Sequence, residues 1–359
     1  MYNKLKTYLY DRHLELGAKI VDFHGYLMPV SYKSIVDECK AVRNNVGIFD
    51  VSHMGQIIIS GINSKNFLQN ITVNNLNKIK EGQVQYNLIC NQNGGIMDDV
   101  LVYNLGDKYM IVPNASNTVK IFNWLLKNKI ENISITNKSD EYSLIAIQGP
   151  NSRELLLDLF KRVKNLNYYN FINDKYGNKN ILISRTGYTG ELGYEVLGSH
   201  EVIRNIWDTL IDKKVIPCGL GSRDILRIEM KYCLYGNDIS EEINPVEAGL
   251  NWVVCFNKEN FIGIKEILNA KNNKTKIRFV SFIMDSKSIP RKGYRIYSNN
   301  ELIGTVSSGT ISPSLNAGIG LGFINKSYSL SKFEIEIRNQ MCSATILDKP
   351  FLTKTSLKK

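Results

Sequence analysis

The side chains able to do acid–base or ionic chemistry fall in three segments. In Asn91 to Tyr103 (NQNGGIMDDVLVY), two adjacent aspartates, Asp98 and Asp99, interrupt an apolar strand that leaves a glycine turn. A buried, unpaired carboxylate loses several kcal/mol of solvation, so at least one of the two must face water or a ligand. Alternation along a strand sends them to opposite faces, Asp98 with Ile96 and Val100, Asp99 with Met97, Leu101 and Tyr103. That pattern suits a ligand-facing acid, and equally one acid capping the turn beside an exposed one. In Ser184 to Glu195 (SRTGYTGELGYE), glycines at 187, 190 and 193 make a tightly turned loop from which Glu191 and Glu195 emerge near Tyr188 and Tyr194. A carboxylate beside an aromatic wall can accept two parallel hydrogen bonds from a flat heterocycle with adjacent N–H donors, such as a pterin or guanine. A surface hairpin with solvated acids has the same composition. In Gly219 to Glu229 (GLGSRDILRIE), Arg223, Asp224, Arg227 and Glu229 occupy the opening turns of a helix. Arg227 can pair with Asp224 within the helix, whereas Arg223, at its start, is better placed to reach a ligand or a neighbouring acid.

The elements that position these residues are legible from periodicity. Period-2 runs mark strands at Gly55 to Gly61, Gly95 to Tyr103, Tyr109 to Pro113, Tyr142 to Gln148, Asn180 to Arg185 and Gly193 to Leu197. Helical patterns cover Ser34 to Asn45, Ser64 to Asn70, Ala115 to Asn128, Asn151 to Leu159, His200 to Lys213 and Ser222 to Lys231. Irregular alternation with hairpin-like pairs predicts an α+β fold rather than a doubly wound parallel sheet. After a short helix at Gly263 to Ala270 the texture changes to short strands separated by Gly, Asn and Ser turns. This predicts a body over 1–272 and an all-β barrel over 273–359.

Composition narrows the chemistry. The 359 residues allow two or three domains. The formal charge of +11 comes from 45 Lys and Arg against 34 Asp and Glu, but only 12 of the cations are arginines. They are spread through a Lys-, Asn- and Ile-rich chain, and the densest runs, Lys271 to Lys276 and Lys354 to Lys359, are short and fall in predicted solvated loops. Nucleic acid is therefore not expected as a partner. No apolar run reaches the ~18 residues of a membrane helix, and no secretory leader opens the chain, so a cytoplasmic location is expected. The six cysteines are never closer than 15 residues and the four histidines form no HxH or HxxxH pair, so no metal site is expected. The glycine clusters CGLGSRD and GIGLGF fail as dinucleotide loops: Asp224 stands where a third glycine is required, and no helix follows the second.

Taken together, VDFHGYLMP (Val21 to Pro29), FDVSHMG (Phe49 to Gly55), YNLICNQNGGIMDDVLVY (Tyr86 to Tyr103), IAIQGP (Ile145 to Pro150), SRTGYTGELGYE, GLGSRDILRIE, CLYGNDI (Cys233 to Ile239), NPVEAGLNWVV (Asn244 to Val254) and SSGTISPSL (Ser307 to Leu315) closely resemble the aminomethyltransferases, the T-proteins of the glycine cleavage system. The resemblance runs in order over essentially the whole chain. It implies a three-domain clover-leaf fold around a folate channel, with the barrel as the last domain. It also implies an enzyme that takes an aminomethyl group from the lipoylated H-protein and uses tetrahydrofolate as co-substrate, with no metal. The catalytic aspartate of the family matches Asp99, leaving Asp98 as its structural partner. Folate-binding positions match Tyr188, Glu195 and Arg223, and channel-lining positions match Tyr86, Met54 and Asn114. The C-terminal KPFLTKTSLKK departs from the family near Lys358, so no contact is carried over there.

Relatives of the same fold do other chemistry, including tetrahydrofolate-dependent demethylation of sulfonium or methylamine compounds and non-enzymatic folate binding in iron–sulfur assembly. The assembly branch carries a KGCYxGQE-type segment where this chain has SRTGYTGELGYE, without cysteine. The demethylases alter the surroundings of the catalytic aspartate, whereas NGGIMDDVLVY and FDVSHMG follow the aminomethyltransferase pattern. A basic surface would also suit two acidic partners, a polyglutamylated folate and an acidic carrier protein.

Overall fold

The computed structural model describes residues 4–273 and 275–359. Two sheets form the body. One has six strands in the order Phe171–Tyr176, Lys179–Ser184, Gly193–Gly198, Ser143–Gln148, Gly47–Asp50 and Ile216–Pro217, all antiparallel except the last pair. The other has five antiparallel strands, Val84–Cys90, Ile96–Asn104, Lys108–Val112, Ile57–Ser60 and Ser134–Asn137. A small sheet of Leu5–Lys6, Tyr26–Ser31 and Lys19–Phe23 lies beside them.

Strand alternation decides what each face covers. On the six-stranded sheet Ile145, Ile147, Ile181, Ile183 and Val196 face the His200–Asp212 helix, whose Val202, Ile203, Ile206, Trp207 and Leu210 are buried against them. The alternate residues Leu144, Ala146, Leu182 and Leu197 face the other way, joining Tyr103 and Met110 of the five-stranded sheet and Ile225 and Leu226 of the Leu220–Glu229 helix. Each large apolar side chain withdrawn from water in these two layers contributes about 1.5 to 3 kcal/mol to the cohesion of the body. The far face of the five-stranded sheet is covered by Phe67, Leu68 and Ile71 of the Ser64–Ile71 helix and by Ile121 and Leu125 of the Thr118–Lys127 helix.

From Ile277 onward six antiparallel strands close a barrel, in the order Ile277–Met284, Ala317–Asn325, Glu301–Ser312, Arg295–Ser298, Lys332–Ile337 and Gln340–Leu347. The GIGLGF cluster lies inside this barrel: a Cβ at Gly320 would stand 2.4 Å from the Phe282 ring. Tight packing between neighbouring strands, not phosphate binding, requires those glycines. In CGLGSRD, likewise, a Cβ at Gly219 would stand 2.4 Å from the Val30 carbonyl, so the glycine lets the Leu220–Glu229 helix start against the N-terminal hairpin.

Two expectations need correction. The helix before the barrel runs Ile264–Asn272, so Lys271 is in its last turn, its ammonium 3.7 Å from the centre of the Phe256 ring, rather than in a loop. Lys274, in the same basic run, lies outside the described residues. The C-terminal tail is not simply solvated. Its lysines 354, 358 and 359 are exposed, but Ser356 is buried and its hydroxyl donates to Glu191 at 2.5 Å. The backbone oxygens of Leu357 and Lys359 accept from Arg185, so the tail returns from the barrel to strap the body.

Candidate active site

All seven residues singled out in the sequence, Met54, Tyr86, Asp99, Asn114, Tyr188, Glu195 and Arg223, line one cavity of about 1220 Å³ between the two sheets, the N-terminal hairpin and the Leu220–Glu229 helix. Three elements supply its polar lining.

The first is the Ile96–Asn104 strand with the Asp98–Asp99 pair. A β-bulge opposite Cys90 sets its orientation, because Cys90 pairs with Ile96 while Ile89 pairs with Asp98, leaving Met97 as the extra residue. Met97 is thereby turned into the helix-covered cluster with Val100 and Val102, and Ile96 into the cluster with Leu88 and Ala248. Simple alternation had assigned these two residues the other way round. Beyond the bulge it holds: Asp98 is fully buried, whereas Asp99 is half-buried and faces the cavity with Leu101 and Tyr103. The Tyr86 hydroxyl donates to Asp99 Oδ2 at 3.1 Å. The Asn114 amide nitrogen lies 2.8 Å from Oδ1 of Asp98 and 2.8 Å from Oδ1 of Asp99. Asn114 owes its position to the 3-10 turn Ala115–Asn117 that follows the Lys108–Val112 strand. Burial raises the pKa of both carboxyls, with the amide donors acting against it.

The second is the loop from Ser184 to Glu195, which wraps around the buried side chain of Gln148. The Gln148 amide donates to the Thr186 carbonyl at 3.2 Å and accepts from the Thr189 hydroxyl at 2.9 Å. A Cβ at Gly187 or Gly193 would stand 2.1 or 2.4 Å from that side chain, and Gly190, at φ +77°, turns over Met230. The glycine spacing of the loop and the glutamine of IAIQGP are thus parts of one packing unit. Only one of its two acids reaches the cavity. Glu195 does so, accepting from the Thr186 hydroxyl, and burial raises its pKa despite that bond and the charge of Arg223. Glu191 instead pairs with Arg43 at 2.9 Å and accepts from Ser356, away from the cavity. Tyr194 packs in the core against the helical layer, while Tyr188 lines the cavity and donates to the Cys233 carbonyl.

The helix supplies the third part. Arg223 lies 4.8 Å over the Tyr188 ring, and its buried Nη1 has no hydrogen-bond partner among the described residues. Arg227 makes the expected pair with Asp224 at 2.8 Å, but it also donates to Asp238 at 2.5 Å and to Ser308 at 2.7 Å. Glu229 accepts from Ser312 at 2.5 Å and from Arg43 at 2.6 Å. The helix that carries Arg223 is therefore bolted to the Glu301–Ser312 strand of the barrel, which explains the CLYGNDI and SSGTISPSL segments.

The cavity also has residues that the sequence did not mark as a site. His53 is buried on its wall, with its Nδ1 unpartnered, and burial pushes its pKa down to about 4. Trp252 is 70% exposed at the rim and stacks on Tyr86, centroids 5.7 Å apart. Both stand within recognised segments, but only three-dimensional placement turns them toward the cavity. Among the described residues no three His, Cys, Asp or Glu side chains gather as a metal site needs, and no helix is long and apolar enough to cross a membrane.

Residues 9–258 match the GCVT N-terminal domain model and residues 278–352 the glycine cleavage T-protein C-terminal barrel domain model. The chain is 45% identical over 355 residues to the aminomethyltransferase of Halothermothrix orenii, covering 97% of this chain and 99% of that one. It is 43% identical to the aminomethyltransferase of Thermosipho melanesiensis, covering 96% of each. Its structure superposes on the crystal structure of glycine cleavage system aminomethyltransferase T from Bartonella henselae with a TM-score of 0.92 at 28% identity, over 98% of this chain and 99% of that one. With both domain models in place over one shared cavity, the chain belongs to the aminomethyltransferases, the T-proteins of the glycine cleavage system.

Proposed function

We propose that the chain moves the methylene carbon of an aminomethyl group, carried on the lipoyl arm of a glycine-cleavage H-protein, onto tetrahydrofolate. One C–S and one C–N bond break and two N–C bonds form. The two N–H protons given up by the folate end on the sulfur and on the departing ammonia. The observation that carries the site assignment is one cavity lined both by the buried Glu195, Arg223 and Tyr188 and by the Asp99 carboxyl.

The polar groups present fit a pterin. Glu195 would accept from its 2-amino group and N3, Tyr188 would pack on the ring, and Arg223, with Nη1 unpartnered, would hold the acid or the ligand. Met54, Tyr86 and Asn114 would line the channel beside it. Asp99 would stand near N5 and N10 and oppose the positive charge that develops on carbon as the C–S bond breaks. A carboxylate aimed at a developing cation out of bulk water acts most strongly in the transition state. A cavity of about 1220 Å³ exceeds what one small ligand fills, leaving room for the lipoyl arm. We further place the division between folate-binding body and barrel at 272/273, and the reaction in the cytoplasm, where the six free cysteines stay reduced.

The test is formation of methylenetetrahydrofolate from aminomethylated H-protein, run beside demethylation of a sulfonium compound. Asp99→Asn is expected to abolish the first while leaving the fold and folate affinity intact. Full activity in that variant, or turnover of the sulfonium compound alone, refutes the assignment.

A further inference from the structure

Asp98, although buried and turned away from the cavity, is surrounded in a way that bears on the reaction. It accepts three hydrogen bonds: from the Asn114 backbone N–H at 2.9 Å, the Asn114 side-chain amide at 2.8 Å and the Asn117 side-chain amide at 2.6 Å. Every partner is an N–H donor. A protonated Asp98 would have to direct its own O–H at one of them, so the shell favours the anion and works against the rise in pKa that burial and the Asp99 charge impose. Asp99 is different. Its Oδ1 accepts from the same Asn114 amide, but its Oδ2 faces the Tyr86 hydroxyl, which can donate to a carboxylate or accept from a carboxylic acid. The two carboxyl groups share one donor nitrogen, so their nearest oxygens are no more than 5.6 Å apart, twice the 2.8 Å that each makes to it.

We propose that Asp98 is a positioning residue for Asp99: a fixed buried anion, held by Asn114 and Asn117, that orients the Asp99 carboxyl and makes Asp99 the member of the pair that takes up and releases a proton. This rests on Asp99 being the catalytic carboxyl. Two protons leave folate nitrogens in the reaction and two arrive on sulfur and ammonia, so one group that accepts and returns a proton at the reacting carbon fits the balance. While Asp99 is protonated, Asp98 keeps a negative charge close to the cationic carbon.

The other titratable groups whose fields reach the pair are Tyr86, Tyr188, Cys233 and Asp238 around Asp99, and Tyr235 beside Asp98. Asp238 is neutralised by Arg227 at 2.5 Å, and Tyr235 accepts from Lys120 at 2.7 Å. The tyrosines and the thiol are raised by burial, which leaves Asp98, held by neutral amide donors alone, as an uncompensated charge beside Asp99.

The experiment is the pH dependence of kcat at saturating tetrahydrofolate and aminomethylated H-protein, which removes the binding role of Glu195 from the profile. A unit charge within 5.6 Å at an effective dielectric of about 20 amounts to about 3 kcal/mol, so Asp98→Asn should move the acid limb down by about two pH units. Asn117→Ala should lower kcat roughly tenfold with the KM for folate unchanged, as misorientation of a reacting group does. An acid limb that stays in place in a folded Asp98→Asn protein overturns the proposal, as does an Asn117→Ala protein altered only in stability. If Asp98→Asn does not fold, infrared difference spectra between the wild type and Asp99→Asn decide: a protonated-carboxyl band lost with Asp99 supports the proposal, and its persistence refutes it. Retained transfer activity in Asp99→Asn would instead refute the catalytic assignment of Asp99.

Discussion

Glu195→Gln should loosen the folate and tighten the protein. The substitution keeps the size and shape of the side chain, so Thr186 and the surrounding loop need not move. It removes the negative charge that would receive two donors from the pterin. Hydrogen bonds to a charged group contribute about 1.5 to 3 kcal/mol each, and the glutamine oxygen retains part of one, so the loss is about 3 kcal/mol, or roughly a hundredfold in Kd. Stability should change in the opposite direction. Burial raises the Glu195 pKa in the folded protein, even with Arg223 attracting the anion. A raised carboxyl contributes stability that is present below its unfolded pKa and is lost as pH rises through the folded one. At neutral pH the wild type has lost that contribution, and a neutral glutamine restores it. The variant should therefore melt higher than the wild type at pH 7, with the gap closing as acid protonates Glu195. The same sign makes wild-type folate affinity fall on acidification earlier than an ordinary glutamate would require. Calorimetric titration with tetrahydrofolate and thermal scans at pH 5 and 7 read both quantities. A Kd within about threefold of wild type would show that the pterin is read elsewhere, and a lower melting temperature at pH 7 would refute the electrostatic account.

Arg43→Ala removes one cation from the two buried carboxylates Glu191 and Glu229 at once, and should destabilise the fold by about 3 to 5 kcal/mol, measured by urea denaturation. Gly190→Ala forces a side chain onto a φ of +77° with its Cβ 2.4 Å from Met230, and should raise the KM for folate well before it unfolds the protein; an unchanged KM would separate the loop from the site. If the +11 charge steers an acidic carrier protein, kcat/KM for H-protein should fall several-fold between low and physiological salt, and salt independence would return that charge to composition alone.

The local elements and the family were legible in the chain. The strands at Ser143–Gln148, Lys179–Ser184 and Gly193–Gly198 follow from alternation bounded by glycine and proline, and the amphipathic helix at Ile35–Asn44 follows from its serine cap and 3.6-residue period. The texture change before Ile277 marked the barrel, and the order of nine motifs marked the aminomethyltransferases. Those signals are local, or are read by matching segments, and need no knowledge of what lies across a sheet.

What the sequence left open depends on partners far along the chain. Glu191 and Glu195 leave one loop with similar surroundings, yet Arg43 and the returning tail take the first and the cavity receives the second. Ile96 and Met97 exchange faces because a bulge forms against Cys90, and period-2 reasoning has no means of counting an unpaired residue. Arg223 and Arg227 share a helix face, but only Arg227 meets Asp238 and Ser308 of the barrel, which leaves Arg223 free for the cavity. Sequence by itself determined which residues could carry charge and on which elements they ride. Tertiary structure decided which charges are neutralised and which are left facing an empty space, because burial and ion pairing are set by contacts between segments that composition and periodicity cannot bring together.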